Sequence, residues 1–208
     1  MNDVTDERWG VIFDLDGTLA RTNLDFDGIR TELGLPSGVP ILEAIERMSA
    51  DAASQAWEVL DRHEGVAAAD AEPMPGAVEF VNSLRERDWP VAILTRNSRR
   101  AALATLERLG LQLDVLRGEL VAREDGPIKP DPAAVWRICR NWGLPPERTL
   151  LVGDHWFDLE TARRAGVRGV LYTGSHERGR FGHDWHADFV LTSFADADAL
   201  LAWLAEST

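Results

Sequence analysis

The sequence predicts an α/β protein: a parallel sheet flanked by helices, with a small all-helical cap inserted after the first strand. Two observations carry this. Short, continuously apolar runs alternate with segments of 3.6-residue periodicity, so the strands must be covered on both faces and joined by crossover helices. That rhythm breaks once, between about Arg21 and Met74, where only helical patterns occur.

In chain order, VIF (11–13) is the first strand. Within the insert, PILEAIERM (40–48) places Ile41, Leu42, Ile45 and Met48 on one stripe, with Pro40 near the start, where a helix tolerates its missing N–H. A further helix is expected from about Asp51 to Asp70, and EPMPG (72–76) is a stiff return to the sheet. Ala77, Phe80, Val81 and Leu84 then step i, i+3, i+4, i+7 along a helix. VAILT (91–95) is the next strand, and a helix follows it as far as Gly110. Val135, Ile138, Cys139 and Trp142 form another buried stripe before the strand LLVG (150–153). The helix after LLVG runs to Gly166; VLYT (170–173) and FVL (189–191) are strands, and Ala197, Leu200, Leu201 and Leu204 face the core from a last helix. Gly110 and Gly166 stand where left-handed helix C-caps are expected. Trp57, Trp136 and Trp142 sit at helical spacing suited to burial. The implied division is residues 1–20 with 75–208 as the core and 21–74 as the cap.

Composition narrows the function. With 45% hydrophobic and 27% charged residues the chain is an ordinary globular one, and 208 residues suffice for one core and a small accessory unit. A net charge of −13 argues against nucleic acid and anionic membrane surfaces as partners. No apolar stretch approaches the roughly 20 residues needed to span a bilayer. Cys139, the only cysteine, has no internal disulfide partner, and MNDVTDER lacks the basic and apolar regions of an export signal. A cytoplasmic monomer or homodimer is expected. An anionic substrate must then be met by local cations, a metal or helix N-termini.

Ligands of open parallel sheets sit beyond the carboxyl ends of the strands, and those positions are polar here. Asp14, Asp16, Gly17 and Thr18 follow the first strand; Thr95, Arg96 and Asn97 follow the second; Asp154 and Asp158 follow LLVG. Lys129 lies in GPIKPDP, among prolines that restrict its backbone. Each has a plainer reading in isolation. Asp14 to Thr18 suits a turn, Thr95 a helix N-cap, Lys129 a solvated loop, and Asp158 a first-turn acid favoured by the helix dipole. Two carboxylates as close as Asp14 and Asp16 repel unless a cation stands between them or one keeps its proton.

Together these residues resemble the haloacid dehalogenase superfamily of phosphohydrolases. DLDGT (14–18) matches its first motif, Thr95 its second, Lys129 its third and GDHWFD (153–158) its fourth, and the likeness runs from Val11 to about Leu191. The insert's place and size are similar to the helical cap of the phosphoglycolate phosphatase-like branch. His155 departs from the small residue that often follows the fourth-motif Gly-Asp.

The resemblance implies a Rossmann-like core and a Mg²⁺-dependent phosphatase acting on a small phosphorylated metabolite. Asp14 and Asp154 would ligate Mg²⁺ by carboxylate and Asp16 by its backbone carbonyl, with Asp158, also in the metal set, orienting Lys129 or a metal-bound water. Asp14 would attack phosphorus to give an aspartyl-phosphate, and Asp16 would serve as acid, then base. Gly17, Thr18, Thr95, Arg96 and Asn97 would contact substrate, and Lys129 would neutralise developing charge. Three alternatives accompany this reading: a phosphomutase, a haloacid dehalogenase and a binding module without catalysis. The loop TGSHERGRFGHDWH (173–186), with His176, His183 and His186, is expected to touch substrate as a flap.

Overall fold

The structure is a computed structural model describing residues 8–111, 119–174 and 185–206. The chain enters β1 (Gly10–Phe13), forms the short β2 (Ala20–Arg21), and continues through α1 (Phe26–Glu32), α2 (Ile41–Glu46) and α3 (Ala50–Ala69) to β3 (Glu72–Pro73). It then alternates: α4 (Ala77–Glu86), β4 (Val91–Leu94), α5 (Arg99–Arg108), β5 (Glu119–Val121), α6 (Ala133–Trp142) and β6 (Thr149–Gly153). The remainder is α7 (Trp156–Ala165), β7 (Arg168–Tyr172), β8 (Phe189–Leu191) and α8 (Ala197–Glu206).

Six strands pair in the order β5-β4-β1-β6-β7-β8, all parallel. Because side chains alternate across a strand, two apolar layers result. Val11, Phe13, Val91, Ile93, Leu150 and Val152 pack with α4, α5 and α8 on one face, whereas Ile12, Ala92, Leu94 and Leu151 pack with α6 and α7 on the other. Burying side chains such as Ile12 and Phe13 completely contributes about 1.5–3 kcal/mol each. Both sides of every central strand are therefore covered, as continuous apolar runs require.

Chain direction across the sheet positions the site. From β1 the chain goes to β4 and β5 on one side, then returns to β6 on the other, so the strand order reverses at β1. The carboxyl ends of β1, β4 and β6 open a crevice there.

The predicted strands all form, and the long insert helix runs Ala50–Ala69. Gly110 and Gly166 take positive φ, 73° and 76°, as their capping positions demand. Three features differ from expectation. The insert is not purely helical, because β2 and β3 pair antiparallel where the chain leaves and rejoins the core. Strand β5 was not anticipated; its first residue, Glu119, breaks the continuous apolar run by which the other strands are recognised. Trp136 is 49% exposed, its ring N–H donating to the Ala165 carbonyl at 3.1 Å, so helical spacing overstated its burial. Helices α1 to α3 share an apolar cluster of Ile29, Ile41, Leu42, Ile45, Ala56 and Leu60, against which Ile128, next to Lys129, also packs. Among the described residues no helix is long and apolar enough to cross a membrane.

Candidate active site

Asp14 ends β1 and Asp154 ends β6, neighbouring strands in register from Gly10↔Thr149 to Phe13↔Val152. The Asp14 amide donates to the Val152 carbonyl at 2.9 Å, which seats the two acids side by side. Asp158, one turn into α7, completes a cluster: Asp14, Asp154 and Asp158 each offer a carboxylate oxygen within 4.8 Å of the others. Glycine makes this closeness possible. A Cβ on Gly17, whose φ is 81°, would lie 2.3 Å from Asp154 Oδ2, and one on Gly153 would lie 2.2 Å from Asp158 Cγ.

Lys129 enters the cluster from the loop after β5, 3% exposed. Its Nζ donates to Asp14 Oδ1 at 2.5 Å and to Asp158 Oδ1 at 2.6 Å. Asp158 Oδ2 accepts from the His155 amide at 3.1 Å, so Asp158 both caps α7 and holds the lysine. One ammonium thus faces three carboxylates. Burial foremost, then the charges of Asp158 and Asp154, raise the Asp14 pKa well above the carboxylate range, although Lys129 opposes them. Burial and Asp158 push Asp154 up to about 7. Burial works against the charge on Lys129, yet Asp14 and Asp158 outweigh it and its pKa rises.

Asp16 lies in a different environment two residues on. Thr22 Oγ1 donates to its Oδ1 at 2.7 Å and Asn97 Nδ2 to its Oδ2 at 2.6 Å. Burial raises its pKa, and these two neutral donors partly offset the rise. Thr22 follows β2 at no recognisable period from Asp16, so nothing in the sequence flagged it.

Thr95 is 3% exposed at the end of β4, and its hydroxyl accepts from the Asn97 amide at 3.1 Å. The N-cap of α5 is Ser98 instead, whose hydroxyl accepts from the Ala101 amide at 3.3 Å, so the helix-cap reading of Thr95 does not hold. Thr18 is fully buried, with a hydroxyl oxygen that has no hydrogen-bond partner among the described residues. Arg96 turns towards the insert, its Nη2 2.5 Å from Glu43 Oε1 and its guanidinium carbon 3.8 Å from the centre of the Phe157 ring. Arg99 and Arg100 face elsewhere, Arg99 to Asp125 at 2.5 Å and Arg100 to the Asp61 carbonyl at 3.0 Å.

Exposed His155 caps α7, its Nδ1 accepting from the Phe157 amide at 3.4 Å, and stacks on Phe157 with ring centres 4.8 Å apart. His176 and His183 of the expected flap lie outside the described residues, and His186 is exposed.

The donor set suits a hard dication. Asp14, Asp154 and Asp158 present only oxygen, crowded enough that two of them have raised pKa values, and Lys129 alone balances them. A family model for haloacid dehalogenase-like hydrolases matches residues 30–166, about two thirds of the chain. The chain belongs to this family. A haloacid dehalogenase-like hydrolase domain-containing protein of Arabidopsis thaliana is 31% identical over 187 residues, covering 84% of this chain and 74% of the relative. A phosphoglycolate phosphatase of Rhodospirillum rubrum is 28% identical over 198 residues, 81% of this chain and 80% of its own. The crystal structure of a hydrolase from Pseudomonas syringae superposes with a TM-score of 0.80 at 22% identity, covering 94% of this chain and 99% of the other. The family model and the Arabidopsis relative thus match this chain in sequence, and the Pseudomonas syringae hydrolase matches it in fold.

Proposed function

We propose that this haloacid dehalogenase-like hydrolase is a Mg²⁺-dependent phosphatase that cleaves a small phosphomonoester through an aspartyl-phosphate on Asp14. The observation that carries the reading is the contrast within one motif. Asp14 lies in a charged cluster against Lys129, whereas Asp16 is held by the neutral donors Thr22 and Asn97. Adjacent carboxyl groups in unlike environments are suited to unlike roles.

Asp14, Asp154 and the Asp16 backbone carbonyl would hold the metal, with Asp158 close enough to support it. Bound there, Mg²⁺ supplies positive charge that lets a dianionic phosphoryl group approach the acidic cluster. Asp14 attacks phosphorus, and the bond to the leaving alcohol breaks as Asp16 donates its proton. Asp16 then takes a proton from the water that hydrolyses the acyl phosphate, which restores both carboxyl groups. Lys129 keeps Asp14 oriented and neutralises charge that grows on the phosphoryl oxygens. The Thr18 hydroxyl and Thr95 line the approach as hydrogen-bonding groups. Residues 21–74 act as the cap that shields the site from bulk water. A reducing cytoplasm suits the single buried thiol of Cys139.

Phosphate release from p-nitrophenyl phosphate and from a panel of metabolite phosphates, with and without Mg²⁺, tests the proposal. Asp14→Asn should lower turnover at least about 10³-fold while the protein stays folded by circular dichroism. Undiminished turnover in that variant, or turnover indifferent to EDTA, overturns the assignment. Phosphate retained on an isomerised sugar would point instead to a phosphomutase.

A further inference from the structure

The sheet order places β1 between β4 and β6, so a contact from the end of β4 to the start of α7 must cross over the end of β1. Arg96 and Phe157 make that contact, with the guanidinium 3.8 Å from the ring centre. Glu43 reaches from α2 to the same guanidinium at 2.5 Å. The three side chains therefore form a roof above Asp14 and Asp16, built from the sheet, from α7 and from the insert. An alcohol leaving from a phosphoryl group on Asp14 departs towards this roof.

The roof is chemically one-sided. Arg96, expected to contact substrate, already has its charge met by Glu43. The second Glu43 oxygen, Oε2, is buried and accepts no hydrogen bond among the described residues. A buried carboxylate oxygen without a donor costs free energy until one arrives. Arg99, Arg100 and Arg123 are turned to Asp125, to the Asp61 carbonyl and to Glu64, so none of them serves Glu43 Oε2.

We infer that Glu43 and Arg96 together determine specificity: Glu43 Oε2 accepts a hydrogen bond from a hydroxyl group of the leaving alcohol, and because Arg96 is already paired and Glu43 offers no proton, a leaving-group carboxylate finds no donor there. The preferred substrate class is then the phosphomonoester of a neutral polyhydroxy alcohol or sugar. This rests on the phosphatase reading and narrows it. Glu43 is a specificity residue from the insert acting on the leaving group; the phosphoryl chemistry beneath it is untouched.

Three substrates separate the possibilities with the full chain and Mg²⁺: glycerol 1-phosphate, 2-phosphoglycolate and p-nitrophenyl phosphate. The wild type should show a kcat/KM for glycerol 1-phosphate at least about tenfold above that for 2-phosphoglycolate. In Glu43→Gln that ratio should fall about tenfold or more, with p-nitrophenyl phosphate turnover within about threefold of wild type. A wild type that favours 2-phosphoglycolate overturns the inference and leaves the phosphatase reading intact. So does a ratio unmoved by Glu43→Gln. Failure to hydrolyse p-nitrophenyl phosphate together with both other substrates overturns the phosphatase reading itself, and this inference with it.

Discussion

Asp14 and Asp16 share a motif, and their surroundings set them apart. Leaving groups provide the test for Asp16. Asp16→Ala should slow hydrolysis of alkyl phosphates by about 10²–10⁴-fold, and of p-nitrophenyl phosphate, whose phenolate leaves unaided, far less. Equal losses would remove its acid role. Thr22 probes the same proton more gently. Its hydrogen bond lowers the Asp16 pKa, so in Thr22→Val that pKa rises further. For an alkyl phosphate the alkaline limb of the kcat profile should therefore move to higher pH, a shift that loss of packing alone does not produce. Asp14, Thr95 and Asp154 were legible in the sequence because each stands just beyond an apolar strand, and Lys129 because prolines bracket it. Thr22 and Glu43 were not, because their partners are 6 and 53 residues away and neither follows an apolar run that marks a strand in the sequence.

Among the insert's helices, α3 is tied to the core through buried charge. Glu64 on α3 is 3% exposed, and its Oε2 accepts from the Ser98 amide and hydroxyl at 3.1 and 2.7 Å, at the start of α5. Its other oxygen pairs with Arg123, which also meets Asp61 and lies over the Trp57 ring. Removing one partner strands a buried charge, at about 3–5 kcal/mol. Glu64→Ala should accordingly lower Tm by roughly 6–20 °C at about 2–4 °C per kcal/mol. Glu160, whose pairs with Arg163 and Arg164 lie on the surface, is the control. Glu160→Ala should leave Tm within about 2 °C. Similar shifts in both variants would mean that the Glu64 network does not anchor α3. The helix itself was legible from its periodicity. Its attachment was not, since Glu64 reads as a solvated charge until Arg123 and Ser98 are folded against it.

Over the whole molecule, the acidic cluster makes stability depend on pH and, on the phosphatase reading, should make it depend on a divalent metal. Burial and the neighbouring Asp158 raise the Asp154 pKa in the folded protein to about 7, from an ordinary value near 3.8. Between those values the folded protein binds more protons than the unfolded chain, so this group's contribution to stability falls as pH rises from about 4 to about 7. In EDTA, Tm should decline across that window, and less steeply in Asp154→Asn. A divalent ion bound at the cluster would relieve the same crowding. At a hundred times its Kd, Mg²⁺ adds about 2.7 kcal/mol, a Tm rise of roughly 5–10 °C. The rise should be larger at pH 7.5 than at pH 5, where protons compete for the carboxylates. Calorimetry with no Mg²⁺ effect at pH 7.5 would remove the metal from the site.

The sequence by itself determined the parallel sheet, its crossover helices and the acids at the strand ends, because alternation, helical periodicity and strand termini are local properties that residues spell out in order. Only the tertiary structure decided which distant groups meet. The reversal of strand order at β1 sets Asp14 beside Asp154, brings Lys129 between Asp14 and Asp158, and stretches Arg96 across to Phe157 under Glu43. Those contacts join residues far apart in the chain, and no periodicity records them; they exist because packing both faces of one sheet leaves a single edge where buried charge can gather.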